Sequence, residues 1–127
     1  MTQQEILAKV DHTLLKPEST WAQIKQICDD AIEYKTASIC INPCYVKRAV
    51  EYLNGRVPVC TVIGFPLGAT PTAVKVFEAK QALADGAEEV DMVINIGALK
   101  DGDYEYVKQD IAALKEAVGD HVLKVII

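Results

Sequence analysis

The chain has 127 residues, 50% of them hydrophobic, 24% charged and 6% aromatic, which is the composition of one folded domain over residues 1–127 with a single sizeable core. A net charge of −5, with 13 basic residues scattered along the sequence, argues against a phosphate-backbone partner, so no nucleic acid is expected. No apolar run approaches the ~20 residues of a membrane span, and Met1-Thr2-Gln3-Gln4-Glu5 is no signal peptide, so the expectation is a cytoplasmic protein without a membrane partner.

Gln3 to Val10 reads as a short amphipathic helix, followed by Val10 to Leu15 as a first strand. Thr20 and Gln23 form a capping-box pattern, opening a helix whose apolar positions are Ile24, Ile27, Cys28, Ala31 and Ile32. Ala37 to Ile41 is a buried strand halted by Asn42-Pro43; a helix then runs from about Tyr45 to Leu53, and Asn54-Gly55 is its stop signal. Val57 to Phe65 forms the third strand, with Pro58 tolerable only near its start. After the Gly64–Gly68 loop, Thr70 is expected to cap a helix that carries Pro71 in its first turn and ends at Asp85-Gly86. Glu89 to Ile96 is the fourth strand, Gly97 to Asp103 a loop, and Tyr104 to Val118 a long helix with Val107, Ile111, Leu114 and Val118 on one face. Leu123 to Ile127 begins a fifth strand.

Continuous apolar strands alternating with amphipathic helices imply a parallel α/β sheet covered by helices. On pattern alone a doubly wound sheet and a barrel stay open, although no Gly-x-Gly-x-x-Gly follows the first strand, so a dinucleotide site has no support. A (β/α)8 barrel takes about 250 residues. Read as a barrel, the chain would supply a half-barrel of about four and a half βα units with a short N-terminal helix.

The cysteines at 28, 40, 44 and 60 contain no Cys-x-x-Cys pair, and Cys40 and Cys60 fall inside apolar strands. A Cys40/Cys44 metal pair would need two more ligands, and His12 and His121 are remote and lack a ligand pattern. Buried free thiols are expected, and no metal.

Asp91 is the most anomalous residue, a carboxylate inside the apolar strand Val90-Asp91-Met92-Val93-Ile94. Unpaired, it would cost several kcal/mol. It is either a satisfied structural ion pair or a functional carboxylate. Lys124 interrupts the adjacent strand and offers the partner charge, so both side chains are expected on one interior face. Asp11-His12-Thr13 gathers polar groups in the first strand, with His12 read as a hydrogen-bonded structural residue. Gly64-Phe65-Pro66-Leu67-Gly68 precedes a helix, where backbone N–H groups could receive an anion, but it lacks the Gly-Lys-Ser/Thr ending of a P-loop.

Taken together, Asp11 to Pro17, Ile39-Cys40-Ile41-Asn42-Pro43, Val62 to Gly68, Glu89 to Asn95 and Lys124-Val125-Ile126-Ile127 closely resemble the deoxyribose-phosphate aldolase family, from Val10 to Ile127. The resemblance implies a TIM barrel and a metal-free, cofactor-free lyase. Such an enzyme reversibly cleaves 2-deoxy-D-ribose 5-phosphate to acetaldehyde and D-glyceraldehyde 3-phosphate through a lysine Schiff base. It implies Asp91 as proton donor and acceptor, Lys124 as a supporting member of the proton relay, and Asp11, Thr13 and Cys40 as residues near the substrate. None of Lys16, Lys100 and Lys124 matches the Schiff-base lysine, which the family carries on strand six. A second lysine on strand seven and the phosphate loops after strands seven and eight also fall outside the matched motifs.

The resulting expectation is an aldolase polypeptide whose isolated 127 residues are inactive, with a phosphosugar as the small-molecule partner of the complete barrel. The alternatives are a non-catalytic half-barrel that self-associates and a phosphosugar-binding α/β module. A homo-oligomer is expected, as a two-fold or segment-exchanged dimer, because both sheet edges would be open and an inner face of Ile39, Ile41, Val59, Val62, Val90, Val93 and Val125 would meet water.

Overall fold

The apolar runs line up as neighbours in one parallel sheet, in the order β1-β2-β3-β4-β5, in a computed structural model that describes all of residues 1–127. The strands are β1 (Asp11–Leu14), β2 (Ser38–Ile41), β3 (Val59–Ile63), β4 (Glu89–Val93) and β5 (Val122–Ile126). The helices are α1 (Gln3–Leu7), α2 (Trp21–Tyr34), α3 (Val46–Leu53), α4 (Thr72–Ala84), α5 (Ile96–Lys100) and α6 (Tyr104–Val118), with a 3-10 turn at Pro43–Tyr45 leading into α3. No helix is long and apolar enough to cross a membrane.

Local chemistry explains most boundaries. Thr20 accepts from the Gln23 backbone while Gln23 returns to the Thr20 amide, so the capping box forms as expected. Asn54 ends α3 in the left-handed conformation, φ 48°. Two expectations need correction. Thr70 does not cap α4: Pro71 occupies the cap position, without a side-chain bond, and the helix begins at Thr72. The segment after β4 is not all loop, because Asn95 accepts from the Ala98 amide and nucleates the short α5.

The sheet is rolled. Four strand spacings of ~4.8 Å would hold β1 and β5 about 19 Å apart if it were flat. Instead Lys124 Nζ of β5 lies 2.7 Å from Asp11 Oδ2 of β1. The two edge strands are opposite walls of an arc, which is the half-barrel.

Period-two alternation then divides the strand residues between two environments. Ile39, Ile41 and Val59 pack outward with Ile24, Cys28, Val46, Ala49 and Leu53 of α2 and α3. Ile63, Val90, Met92 and Val125 pack outward with Ala79, Leu114 and Val118 of α4 and α6. Cys40, Cys60 and Val62 form a separate, smaller cluster with Leu15 and Ile126 on the concave side. The expected inner face is thus corrected: Ile39, Ile41, Val59, Val90 and Val125 lie under the helices, and of that set only Val62 and Val93, the register partner of Ile126, face the concave side. An apolar run marks a strand buried on both sides without saying which residues face the helices.

A buried ion pair ties the outer layer to the sheet. Lys75 of α4, with no exposed surface, donates to Asp110 Oδ2 of α6 at 2.7 Å and to the Val93 carbonyl at 3.1 Å. Thr72 donates to the other Asp110 oxygen at 2.7 Å. The sequence reading missed this pair. Asp110 does fall on the apolar face of α6, three residues from Val107 and four from Leu114, and a charge at such a position signals a buried partner.

The Gly64–Gly68 loop closes on itself through a Gly68 amide donating to the Gly64 carbonyl at 2.7 Å. Gly68 has φ +66°, and a Cβ there would lie 2.3 Å from the Ile94 carbonyl oxygen, so no other residue fits against the end of β4.

Replacing Asp110 by Ala should destabilise the fold by about 3–5 kcal/mol in urea unfolding, because a buried ammonium loses its counter-charge. The double change Lys75→Met with Asp110→Leu should recover most of that loss. Equal stability of the single variant and the parent would show that the pair does not hold the layers together.

Candidate active site

The concave face is built by every second strand residue. Asp11 and Thr13 come from β1, Ser38 and Cys40 from β2, Cys60 and Val62 from β3, Glu89 and Asp91 from β4, and Lys124 from β5. Lys124 is its centre. Its ammonium lies 2.7 Å from Asp11 Oδ2, 3.3 Å from Glu89 Oε2 and 3.3 Å from Asp91 Oδ1. The expectation that Asp91 and Lys124 share an interior face holds, and they are register partners across β4 and β5. The shortest contact of Lys124, however, is with Asp11 on the far wall rather than with Asp91.

Each carboxylate is held differently. Asp11 accepts from Ser38 Oγ at 2.7 Å as well as from Lys124. Burial opposes its charge, but the hydrogen bonds from Lys124 and Ser38 outweigh that and hold its carboxyl below the ordinary aspartate value. Asp91 Oδ1 is buried and accepts no hydrogen bond, because the Lys124 ammonium beside it is close enough for attraction but poorly aligned. It is an acceptor with its lone pairs free, next to a fixed positive charge. For Lys124 burial again opposes the charge, while the Asp11 hydrogen bond and the charges of Asp91 and Asp11 more than offset it, raising the amine well above the ordinary lysine value.

Thr13 and Cys40 share the concave face with this group. Thr13 is exposed on the same face and donates to the Asp11 carbonyl at 2.7 Å, which fixes its hydroxyl on its own strand. Cys40 is buried directly beside Cys60, its register partner on β3. Contact with Cys40 and then burial push the Cys60 thiol up, so it stays protonated. His12 points the other way and meets Asp30 of α2 at 3.1 Å, the structural role expected of it. The Gly64 loop is no open anion receptor, since the Gly64 amide already donates to Glu78 Oε2 at 2.7 Å. Glu89, Ser38 and Cys60 were not singled out in the sequence. Glu89 was within reach there, because it stands two residues before Asp91 and must share its face.

The chain is similar over nearly its whole length to known proteins. Residues 6–127 match the model of the DeoC/LacD family aldolases. A deoxyribose-phosphate aldolase of Clostridium botulinum is 58% identical over 127 residues, covering the whole of this chain and 58% of that protein. Among solved structures, a Coccidioides immitis protein described as a deoxyribose-phosphate aldolase superposes with a TM-score of 0.93 at 46% identity, over 96% of this chain and 49% of that one. The tetrameric deoxyribose phosphate aldolase of Aeropyrum pernix gives 0.78 at 30% identity, over 96% and 52%. The chain thus spans a little over half the length of the curated relative and about half that of the two solved ones. With almost all of its residues matched, the chain belongs to the DeoC/LacD family of aldolases.

Proposed function

We propose that these residues form the proton-relay half of a Schiff-base aldolase that cleaves 2-deoxy-D-ribose 5-phosphate reversibly into acetaldehyde and D-glyceraldehyde 3-phosphate. The observation that carries this reading is the buried Asp91 oxygen with no hydrogen-bond donor, set 3.3 Å from a lysine held charged. A carboxylate of that kind can take a proton from a reacting group and give it back. Lys124 supports it by setting the field around Asp91, while Asp11 and Glu89 fix the ammonium from either side. Thr13 and Cys40 line the same concavity, where the substrate would lie.

Lys124 is not the nucleophile. An amine attacks a carbonyl only when neutral, and the carboxylates around Lys124 keep it protonated beyond its ordinary range. Lys75 is equally engaged, in its pair with Asp110. The resemblance to the family implies a Schiff-base lysine on a later strand of the complete barrel.

Homo-oligomerisation is part of the same proposal. It is supported by the tetrameric form of the Aeropyrum pernix relative. Exposed apolar side chains such as Leu67 and Phe77 are available for such contacts.

In the complete barrel, Asp91→Asn should lower kcat for retro-aldol cleavage by about 10²–10⁴-fold, with a much smaller change in KM. Full turnover in that variant would overturn the assignment. In the 127-residue chain, borohydride added with acetaldehyde should leave no mass increase on Lys124; an adduct there would mean the amine is neutral and the site works differently. Light scattering of the complete barrel at low micromolar concentration should give at least a dimer mass, and a folded monomer would count against assembly.

A further inference from the structure

We propose that Cys40, Cys60 and Asp91 form a binding site for a thiophilic divalent cation of the zinc class. Their ligand atoms, two Sγ and a carboxylate oxygen, all lie within 4.8 Å of one another, on three adjacent strands. The sequence offered Cys44 as the companion of Cys40, but Cys44 is exposed, outside the sheet, and the companion supplied by the fold is Cys60.

The geometry suits a tetrahedral ion. Two sulfurs each ~2.3 Å from one zinc stand about 3.8 Å apart, so closing the site requires shifts of at most about an ångström. Rigid strands supply all three ligands, and the free lone pairs of Asp91 Oδ1 meet no hydrogen-bond donor that would have to be displaced. Charge balances as well. Binding releases one proton from each thiol, giving two thiolates and one carboxylate around a dication, and the net single negative charge is met by the Lys124 ammonium beside Asp91. Thiolate ligands favour zinc-like ions and disfavour magnesium or calcium. Where Asp91 carries the proton of the aldol reaction, which rests on the function proposed above, an ion held here removes that carboxylate from proton exchange. The bound form is then an off state rather than a catalytic one.

The test is titration of the reduced 127-residue chain with cadmium, read by ultraviolet thiolate-to-cadmium charge transfer, with zinc measured by competition. One ion per chain is expected. Cys40→Ser and Asp91→Asn should each weaken binding by about tenfold or more, while Cys44→Ser leaves it unchanged. Cys60 is fully buried, so Cys60→Ser is read only alongside circular dichroism, and Cys40→Ser decides if it unfolds. Undiminished charge transfer in Cys40→Ser, or its loss in Cys44→Ser, would overturn the site. The readout involves no turnover, so failure to bind leaves the proton-relay reading of Asp91 intact. Conversely, an active Asp91→Asn barrel would sink that reading without touching the site.

Discussion

One lysine sets the geometry of the concave face. Lys124 sits where three carboxylates converge, Asp11 from the opposite wall and Glu89 and Asp91 from the neighbouring strand. Three acidic groups so close together would repel strongly around a half-shielded surface. The ammonium converts that repulsion into a set of short contacts, and Asp11 and Lys124 meet only because the curl of the sheet makes β1 and β5 face each other. The charge that bridges the walls is also the charge beside Asp91.

The two faces of the sheet divide the work. Outward-facing residues such as Ile39, Ile41, Val90 and Met92 are sealed under helices, and each such side chain contributes roughly 1.5–3 kcal/mol through burial. Inward-facing residues contribute less apolar burial, chiefly through Cys40, Cys60, Val62 and Val93. Stability resides in the outer layer and the charged cluster in the inner one. The Lys75–Asp110 pair spans the boundary, because Lys75 reaches from α4 to the Val93 carbonyl at the end of β4. That contact braces the strand carrying Asp91 from behind.

Much of this was legible in the sequence because it depends on local spacing. The alternation of strands and helices, the Thr20–Gln23 capping box and the Asn54 stop are each set by a few neighbouring residues. Asp91 and Lys124 stood out because each is a charge in an apolar strand, and one sheet explains both. Other features depend on through-space closure, which spacing does not record. Asp11 as the closest partner of Lys124 requires the sheet to roll. Cys60 beside Cys40 requires the register of β2 on β3. The inner-face assignment failed for Ile39, Ile41, Val59, Val90 and Val125 because runs buried on both sides lose the alternation that would mark the helix-covered side. Thr70 and Pro71 were misplaced by one position, as two good starting residues in a row leave the first turn ambiguous.

The contact between Asp11 and Lys124 joins residues 113 positions apart. During synthesis from the N-terminus, β1 to β4 emerge before the lysine that will neutralise them. Until β5 arrives, Asp11, Glu89 and Asp91 face one another as unshielded negative charges, and the arc has an electrostatic reason to stay splayed. β5 thus brings the counter-ion that lets the earlier strands close. The carboxylate–lysine cluster forms only after the polypeptide has passed residue 124.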